Sequence, residues 1–197
     1  MSDHINKSLQ DYINDVSSQK STPGGGNVVG VVSSFGCALM LMSIRIGVLA
    51  KEPDSRLERD SEEELLKLRQ EFIILSERDS KKFKQVIKNW KKRGEELENA
   101  LKGAAEVSLE MAELNVKLID LIEKQNLERL RNIVTDVGIS LELARACFNG
   151  GIMNYKVNKK AVKKQDTIEK LELKSRELIK KFNEKYGKIS EKIGRLC

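Results

Sequence analysis

The 197-residue sequence has one histidine, two prolines, three cysteines and one tryptophan, and aromatics make up only 5% of it. Each shortage excludes something. With two prolines, Pro23 and Pro53, little interrupts a helix. The three cysteines, Cys37, Cys147 and Cys197, are widely spaced and odd in number, which argues against both a disulfide framework and a paired metal site. They read as buried small apolar residues or a loose terminus in a reducing cytoplasm. The single histidine, His4, falls in an N-terminal segment expected to fray, so acid–base chemistry would fall to Asp, Glu, Cys or Lys. The opening "MSDHINKSLQ" has no signal-peptide character. No His/Cys cluster suggests a metal site, and none is expected.

What the sequence does have is charge and helical periodicity. Charged residues are 34% of the chain and hydrophobic residues 40%, giving a net charge of +6. A single globular domain over 1–197 is expected. The positive and negative charges are interleaved. Even the densest basic runs, Lys81–Arg93 and Lys156–Lys164, lack the aromatic platforms or docking motif of a nucleic-acid site, so no nucleic-acid partner is expected.

Leu, Ile, Lys and Glu recur at helical spacing without strand-like alternation. Six helices are predicted, at about 4–19, 26–51, 55–90, 94–125, 127–158 and 160–186. A bend is expected near Gly103 or Ser108, a break before Asp136 and a stop at Gly187. The fold class is all-α, an antiparallel bundle around an apolar second helix.

That second helix belongs to the one uncharged stretch, Ser21–Ile44, "STPGGGNVVGVVSSFGCALMLMSI". Its length suits a membrane span, but its glycines and serines make it only mildly apolar. Arg45 interrupts it and no Trp or Tyr flanks it, so no membrane partner is expected. A buried helix or a dimer interface fits better. Gly26, Gly30, Ser33 and Cys37 form a stripe of small side chains that lets another backbone or a flat ligand approach closely. The preceding glycines place open N–H groups at a helix N-terminus, where a carboxylate or phosphate can bind. No strand precedes them and no Gly-Lys-Ser/Thr follows, so neither a P-loop nor a dinucleotide fingerprint is present.

The stretch "TPGGGNVVGVVSSFGCALMLM" resembles the signature of the formiminotetrahydrofolate cyclodeaminase and methenyltetrahydrofolate cyclohydrolase family. Pro23, Gly24, Gly25, Gly26, Gly36, Ala38, Leu39 and Met42 carry the likeness. Downstream matches keep the family's order. "RDSKKF" places Asp79 and Phe83, and "LKGAAEVSLEMAEL" follows. "RNIVTDVGISLELARACFNGGIMNYKVN" then places Asn132, Thr135, Asp136, Gly138, Gly150, Asn154 and Asn158. Asn27 stands where the family commonly has Ser, Arg45 and Gly47 where it has Asn and Thr, and Arg129–Leu130 where Gly-Asn precedes Asn132.

The resemblance implies a cytoplasmic all-α homodimer that acts on a tetrahydrofolate derivative and has no bound cofactor. In cyclodeamination, N10 attacks the formimino carbon on N5 and ammonia leaves. In the cyclohydrolase reaction, water opens the methenyl ring. Both reactions move protons and pass through a delocalised cation, which a carboxylate can serve as base and counter-charge. Asp136 and Asp79 are the candidate catalytic residues. Pro23, Gly24, Gly25, Gly26, Asn27, Arg45, Lys51, Asn154 and Asn158 are the candidate substrate contacts, with Arg45 and Lys51 positioned for a glutamate tail.

The residues alone leave other readings open. Asp136 suits an N-cap, Asp79 a surface pair with Arg78 or Lys82, and the two asparagines inter-helix bonding. Asp136 and Asn154 are 18 positions apart, about 27 Å along a continuous helix. They meet at one reacting carbon only if the helix breaks or a dimer partner joins them. The alternative from another class is a non-catalytic binding or scaffold protein that keeps the fold.

Overall fold

A computed structural model describes residues 6–197 apart from Arg93 and Ala161; His4 lies outside the described residues. The described residues form six α-helices: α1 (Leu9–Val16), α2 (Gly25–Ile44), α3 (Arg56–Asn89), α4 (Glu95–Glu123), α5 (Val134–Lys159) and α6 (Gln165–Leu196). A π-helical turn, Arg45–Leu49, extends α2, and a 3-10 helix, Leu127–Ile133, leads into α5. Among the described residues there is no strand. The predicted break before Asp136 is this change from 3-10 to α geometry.

The helix α4 runs without interruption through Gly103 and Ser108, both of which are buried. One expectation is corrected. Gly187 does not stop α6, which runs on to Leu196. Ile189 and Ile193 beyond it are buried, and their packing outweighs the roughly 1 kcal/mol that a helical glycine costs.

The most enclosed element is α4, with both its ends and its middle buried against α3, α5 and α6. Against this layer, α2 lies between α3 and α5. The small-residue stripe sets its distance from them. A side chain at Gly30 would come within 2.6 Å of Ser76 Cβ and 2.9 Å of the Phe72 carbonyl of α3. The Asn115 amide of α4 donates to Ser33 Oγ at 3.1 Å, Ser140 Oγ of α5 donates to the Gly36 carbonyl at 2.8 Å, and Cys37 is fully buried. These contacts make α2 antiparallel to both α3 and α5.

By length and composition Gly25–Leu49 could cross a membrane, but 56% of its most apolar window is buried inside the protein. Its outer side is different. Phe35, Met42 and Ile46 are exposed there, and Ile139, Met153 and Val157 are exposed on the neighbouring helix α5.

Candidate functional site

The N-terminus of α2 opens into a cleft of about 250 Å³. Gly24, Gly25 and Gly26 form one wall, Asp79 and Phe83 of α3 a second, and Asn154, Val157 and Asn158 of α5 a third. Gly24 is the N-cap and carries no side chain, so no side-chain oxygen closes the end of the helix. The first backbone N–H groups have no carbonyl four residues earlier in the helix to bond, and they face the space beside the glycines. Pro23, joined to Thr22 by a cis peptide bond, is buried behind them.

Asp79 gives the cleft its chemistry. A Cβ on Gly26 would sit 2.2–2.4 Å from the Asp79 carboxylate, so only glycine lets the two helices meet with that carboxylate between them. Arg78, the neighbour expected to pair with it, turns instead to Glu110 of α4, donating from Nη2 at 3.1 Å. The Lys82 ammonium lies against Gly103. Asp79 is therefore not the surface ion pair that its charged neighbours suggested. With burial as the only resolved influence, its pKa is pushed up to about 6.

The cleft narrows inward between Asp79, Asn154, Ser108, Met111 and Gly151. Asn154 and Asn158 lie one turn apart on α5 and both line the cleft, so their amides face ligand space.

Other candidates fall elsewhere. Asn27 is not a ligand contact. It is fully buried, accepts a hydrogen bond from Tyr12 Oη at 2.7 Å and donates to the Ser76 carbonyl at 2.9 Å. It ties α1, α2 and α3 together behind the glycines. Burial, with Glu77 nearby, raises the Tyr12 pKa to about 12 and keeps the phenol a donor.

Arg45 and Lys51 lie at the opposite end of α2, about 30 Å from Gly25 along the helix. Arg45 Nε donates to Glu62 at 2.7 Å, and Lys51 sits in the exposed turn that follows. Within one chain neither reaches the cleft. Arg129 is also at that end, pairing with Glu58 at 3.1 Å and Glu52 at 2.6 Å, and a side chain at Gly47 would strike Leu130 Cδ2 at 2.5 Å. Of the departures from the family pattern, Arg45, Gly47 and Arg129 are thus remote from their own chain's cleft.

Asp136 is not an N-cap. Ile133 holds that position, and Asp136 lies in the first turn of α5, where the helix dipole favours an acid. Because α5 is unbroken, Asp136 stays about 27 Å from Asn154. One chain does not bring Asp136 and the glycine loop to one cleft.

Three lining residues, Thr22, Phe83 and Val157, were not singled out as contacts. Phe83 is one turn beyond Asp79, and Val157 is three residues beyond Asn154. Their spacing from the polar candidates was the available signal. No group of three or more His, Cys, Asp or Glu able to hold a metal ion occurs among the described residues.

The arrangement provides a poised carboxyl, open amide donors and two side-chain amides in one small cleft. Known proteins share the framework around it. Residues 8–177 match the family model described as formiminotransferase-cyclodeaminase. A methenyltetrahydrofolate cyclohydrolase from Methylorubrum extorquens is 25% identical over 170 residues, covering 80% of this chain and 81% of that protein. The crystal structure of formiminotetrahydrofolate cyclodeaminase from Thermotoga maritima has a TM-score of 0.91 at 25% identity, over 97% of this chain and 98% of that one. With most of its length matched by that model and nearly all of it by that fold, the chain belongs to the formiminotransferase-cyclodeaminase family.

Proposed function

We propose that this protein is a folate one-carbon enzyme, a formiminotetrahydrofolate cyclodeaminase or methenyltetrahydrofolate cyclohydrolase, acting as a cytoplasmic dimer. The observation that carries this reading is Asp79, a carboxyl with a pKa near 6 held against Gly26 in the cleft wall. A group that titrates there both gives and takes a proton near neutral pH, which is what the two reactions require.

In cyclodeamination, N10 attacks the formimino carbon on N5. The nitrogen–carbon bond forms, N10 gives up its proton and the former formimino nitrogen gains protons until it leaves as ammonia. Asp79 takes the first proton and returns one to the leaving nitrogen. In the hydrolytic reaction it takes a proton from the attacking water, and the ring opens as one carbon–nitrogen bond breaks and the freed nitrogen is protonated. In both, its carboxylate opposes the positive charge spread over N5, the bridging carbon and N10.

The amides of Asn154 and Asn158 provide donors and acceptors for a pterin edge, and the apolar faces of Phe83 and Val157 shield it from water. The N–H groups at Gly24–Gly26 suit an oxygen bearing negative charge. Arg45 and Lys51, expected to meet the substrate's glutamate end, do not reach the cleft of their own chain.

The test follows methenyl-tetrahydrofolate formation and hydrolysis spectrophotometrically for the natural protein and for Asp79→Asn. Turnover by the natural protein with loss in the variant supports the reading. Undiminished turnover in the variant removes Asp79 from the chemistry. Absence of both turnover and folate binding in the natural protein favours a non-catalytic protein of the same fold.

A further inference from the structure

The fold brings together the two densest basic runs of the sequence, Lys81–Arg93 and Lys156–Lys164. The first lies at the end of α3 and the second at the end of α5. Both helices finish at the end of the bundle where α4 and α6 begin, and Val86 of α3, Ala100 of α4 and Val162 meet there in one small core. The α5–α6 connection is fastened to the first turns of α4. Glu98 Oε1 accepts from the backbone N–H groups of Lys163 at 3.0 Å and Lys164 at 2.7 Å.

A second cleft, of about 870 Å³, opens between the α3–α4 and α5–α6 connections. It shares no lining residue with the cleft at the glycine end. Leu97 and Leu101 of α4 give it apolar lining, held in place by the small core, with Leu101 itself buried. Trp90, the C-cap of α3, is a further lining residue. It is the only tryptophan in the chain and is 61% exposed. Gly94, with a φ of 87°, turns the chain into α4 in a backbone conformation that favours glycine, and this short turn holds the indole at the cleft. The cleft thus offers a flat aromatic face above an apolar surface.

Its charges are unevenly committed. Of the two acids in the lining, Glu98 is occupied by the loop N–H groups, and Glu95 pairs with Lys164 at 3.6 Å. Lys91 and Lys163 also line the cleft, and neither forms an ion pair with another described residue. One stands on each connection, so the cleft holds an uncommitted ammonium from both. An exposed ammonium attracts an anion only weakly in water, whereas stacking on an aromatic ring is stronger and tolerates any base. A ligand that fits has a planar aromatic ring for the indole and an anionic group with more than one charge for the two lysines. A phosphate ester carries close to two charges at neutral pH, and a single carboxylate only one.

We propose that this second cleft binds a nucleoside phosphate, with the base against Trp90 over Leu97 and Leu101 and the phosphate between Lys91 and Lys163. The volume suits a ligand of that size. The proposal does not rest on the folate-enzyme reading, because the two clefts are lined by different residues.

The sole tryptophan reports on its own site. The full chain is titrated with ATP while Trp90 fluorescence is followed, and a saturable change is expected. Adenosine, and inorganic tripolyphosphate at equal ionic strength, should each bind at least about fivefold more weakly. In calorimetry Trp90→Ala should weaken ATP binding by about 5- to 150-fold, the usual worth of one stacked base. The double variant Lys91→Ala, Lys163→Ala keeps the fluorophore and should weaken binding by about 2- to 30-fold at low salt, with a flatter salt dependence. All three side chains are exposed, so far-ultraviolet circular dichroism should show unchanged helix in both variants.

No saturable change with ATP, or undiminished ATP binding by Trp90→Ala, overturns the proposal. Tripolyphosphate binding as well as ATP reveals a general cationic patch, and adenosine binding as well as ATP removes the lysines; either overturns it. An adenine oligonucleotide that binds more than about tenfold tighter than ATP assigns this end to single-stranded nucleic acid and overturns the small-ligand site. Displacement of ATP by tetrahydrofolate reveals one continuous site and overturns it too. Each of these outcomes is read whether or not the protein turns over folate.

Discussion

The two ends of the α2–α5 pair handle charge in opposite ways. At the far end, Arg129 joins Glu58 and Glu52, and Arg45 joins Glu62. Glu58 is only 1% exposed there, and a cation accompanies it. At the glycine end, Asp79 is also largely enclosed, yet burial alone governs its pKa. A buried carboxylate with a cation is a structural clamp. A buried carboxyl without one keeps its proton into the neutral range and can exchange it. The same residue type thus serves the frame at one end and chemistry at the other, according to what stands beside it.

The contrast is broken most directly by Asp79→Asn. Turnover in the methenyl-tetrahydrofolate assay should fall by about 10²–10⁴-fold, the usual worth of a positioned acid–base group. Stability should move the other way. The folded pKa near 6 lies above the unfolded value near 3.8, so the folded state holds the proton more tightly. Asp79 thus costs stability that is absent below about pH 4, grows as pH rises and is fully present above about pH 6. Urea unfolding at pH 8 should show the variant more stable by up to about 3 kcal/mol, with the gain vanishing near pH 4.

Arg129→Met tests the clamp. It leaves Glu58 enclosed without its cation and should cost about 3 kcal/mol in denaturant unfolding at pH 7, with much of the loss recovered in the double variant with Glu58→Gln. A loss no larger than that of an exposed pair would show that the far end is not a clamp.

A pair of glycine substitutions sharpens the comparison. Gly47→Ala meets the fully packed Leu130 and should lower stability by about 1–3 kcal/mol. Gly26→Ala meets the movable tip of Asp79, so its stability cost should be smaller while its loss of turnover exceeds that of Gly47→Ala. Equal effects of the two on turnover would erase the distinction between the ends.

The smallest expected effect is Tyr12→Phe. It removes the hydrogen bond to Asn27 and should cost about 1 kcal/mol, measured by thermal unfolding, with a modest rise in KM as the glycine segment loosens.

Much of this was legible in the residues. Few prolines and an unbroken apolar period gave the six helices, and Pro-Gly-Gly-Gly marked the start of α2. The ordered matches from Pro23 to Asn158 pointed to the family. The cleft was legible in part. Gly24, Gly25, Gly26, Asp79, Asn154 and Asn158 were singled out from spacing and resemblance, and all line it. Asn27 was misplaced because a polar residue beside a loop looks like a ligand contact; nothing local shows that Tyr12 and the Ser76 carbonyl occupy its amide. The burial of Asp79 was hidden by its neighbours in "SERDSKKF", which look like a solvated helix face. The end of α6 was missed because glycine stops a helix only when no packing beyond it rewards continuation.

By itself the sequence determined which segments are helical, which helix is free of charge and which carboxyls were candidates, because these follow from local propensity and periodicity. Only the tertiary structure decided which candidate is desolvated and which is paired. Desolvation and pairing depend on what other helices bring alongside a side chain. Ser76, Gly26 and Asp79 meet through the antiparallel packing of α2 on α3, across some fifty residues of sequence. The unbroken run of α5 holds Asp136 at the far end of its own chain from the glycine loop, and the outer face between α2 and α5 stays bare.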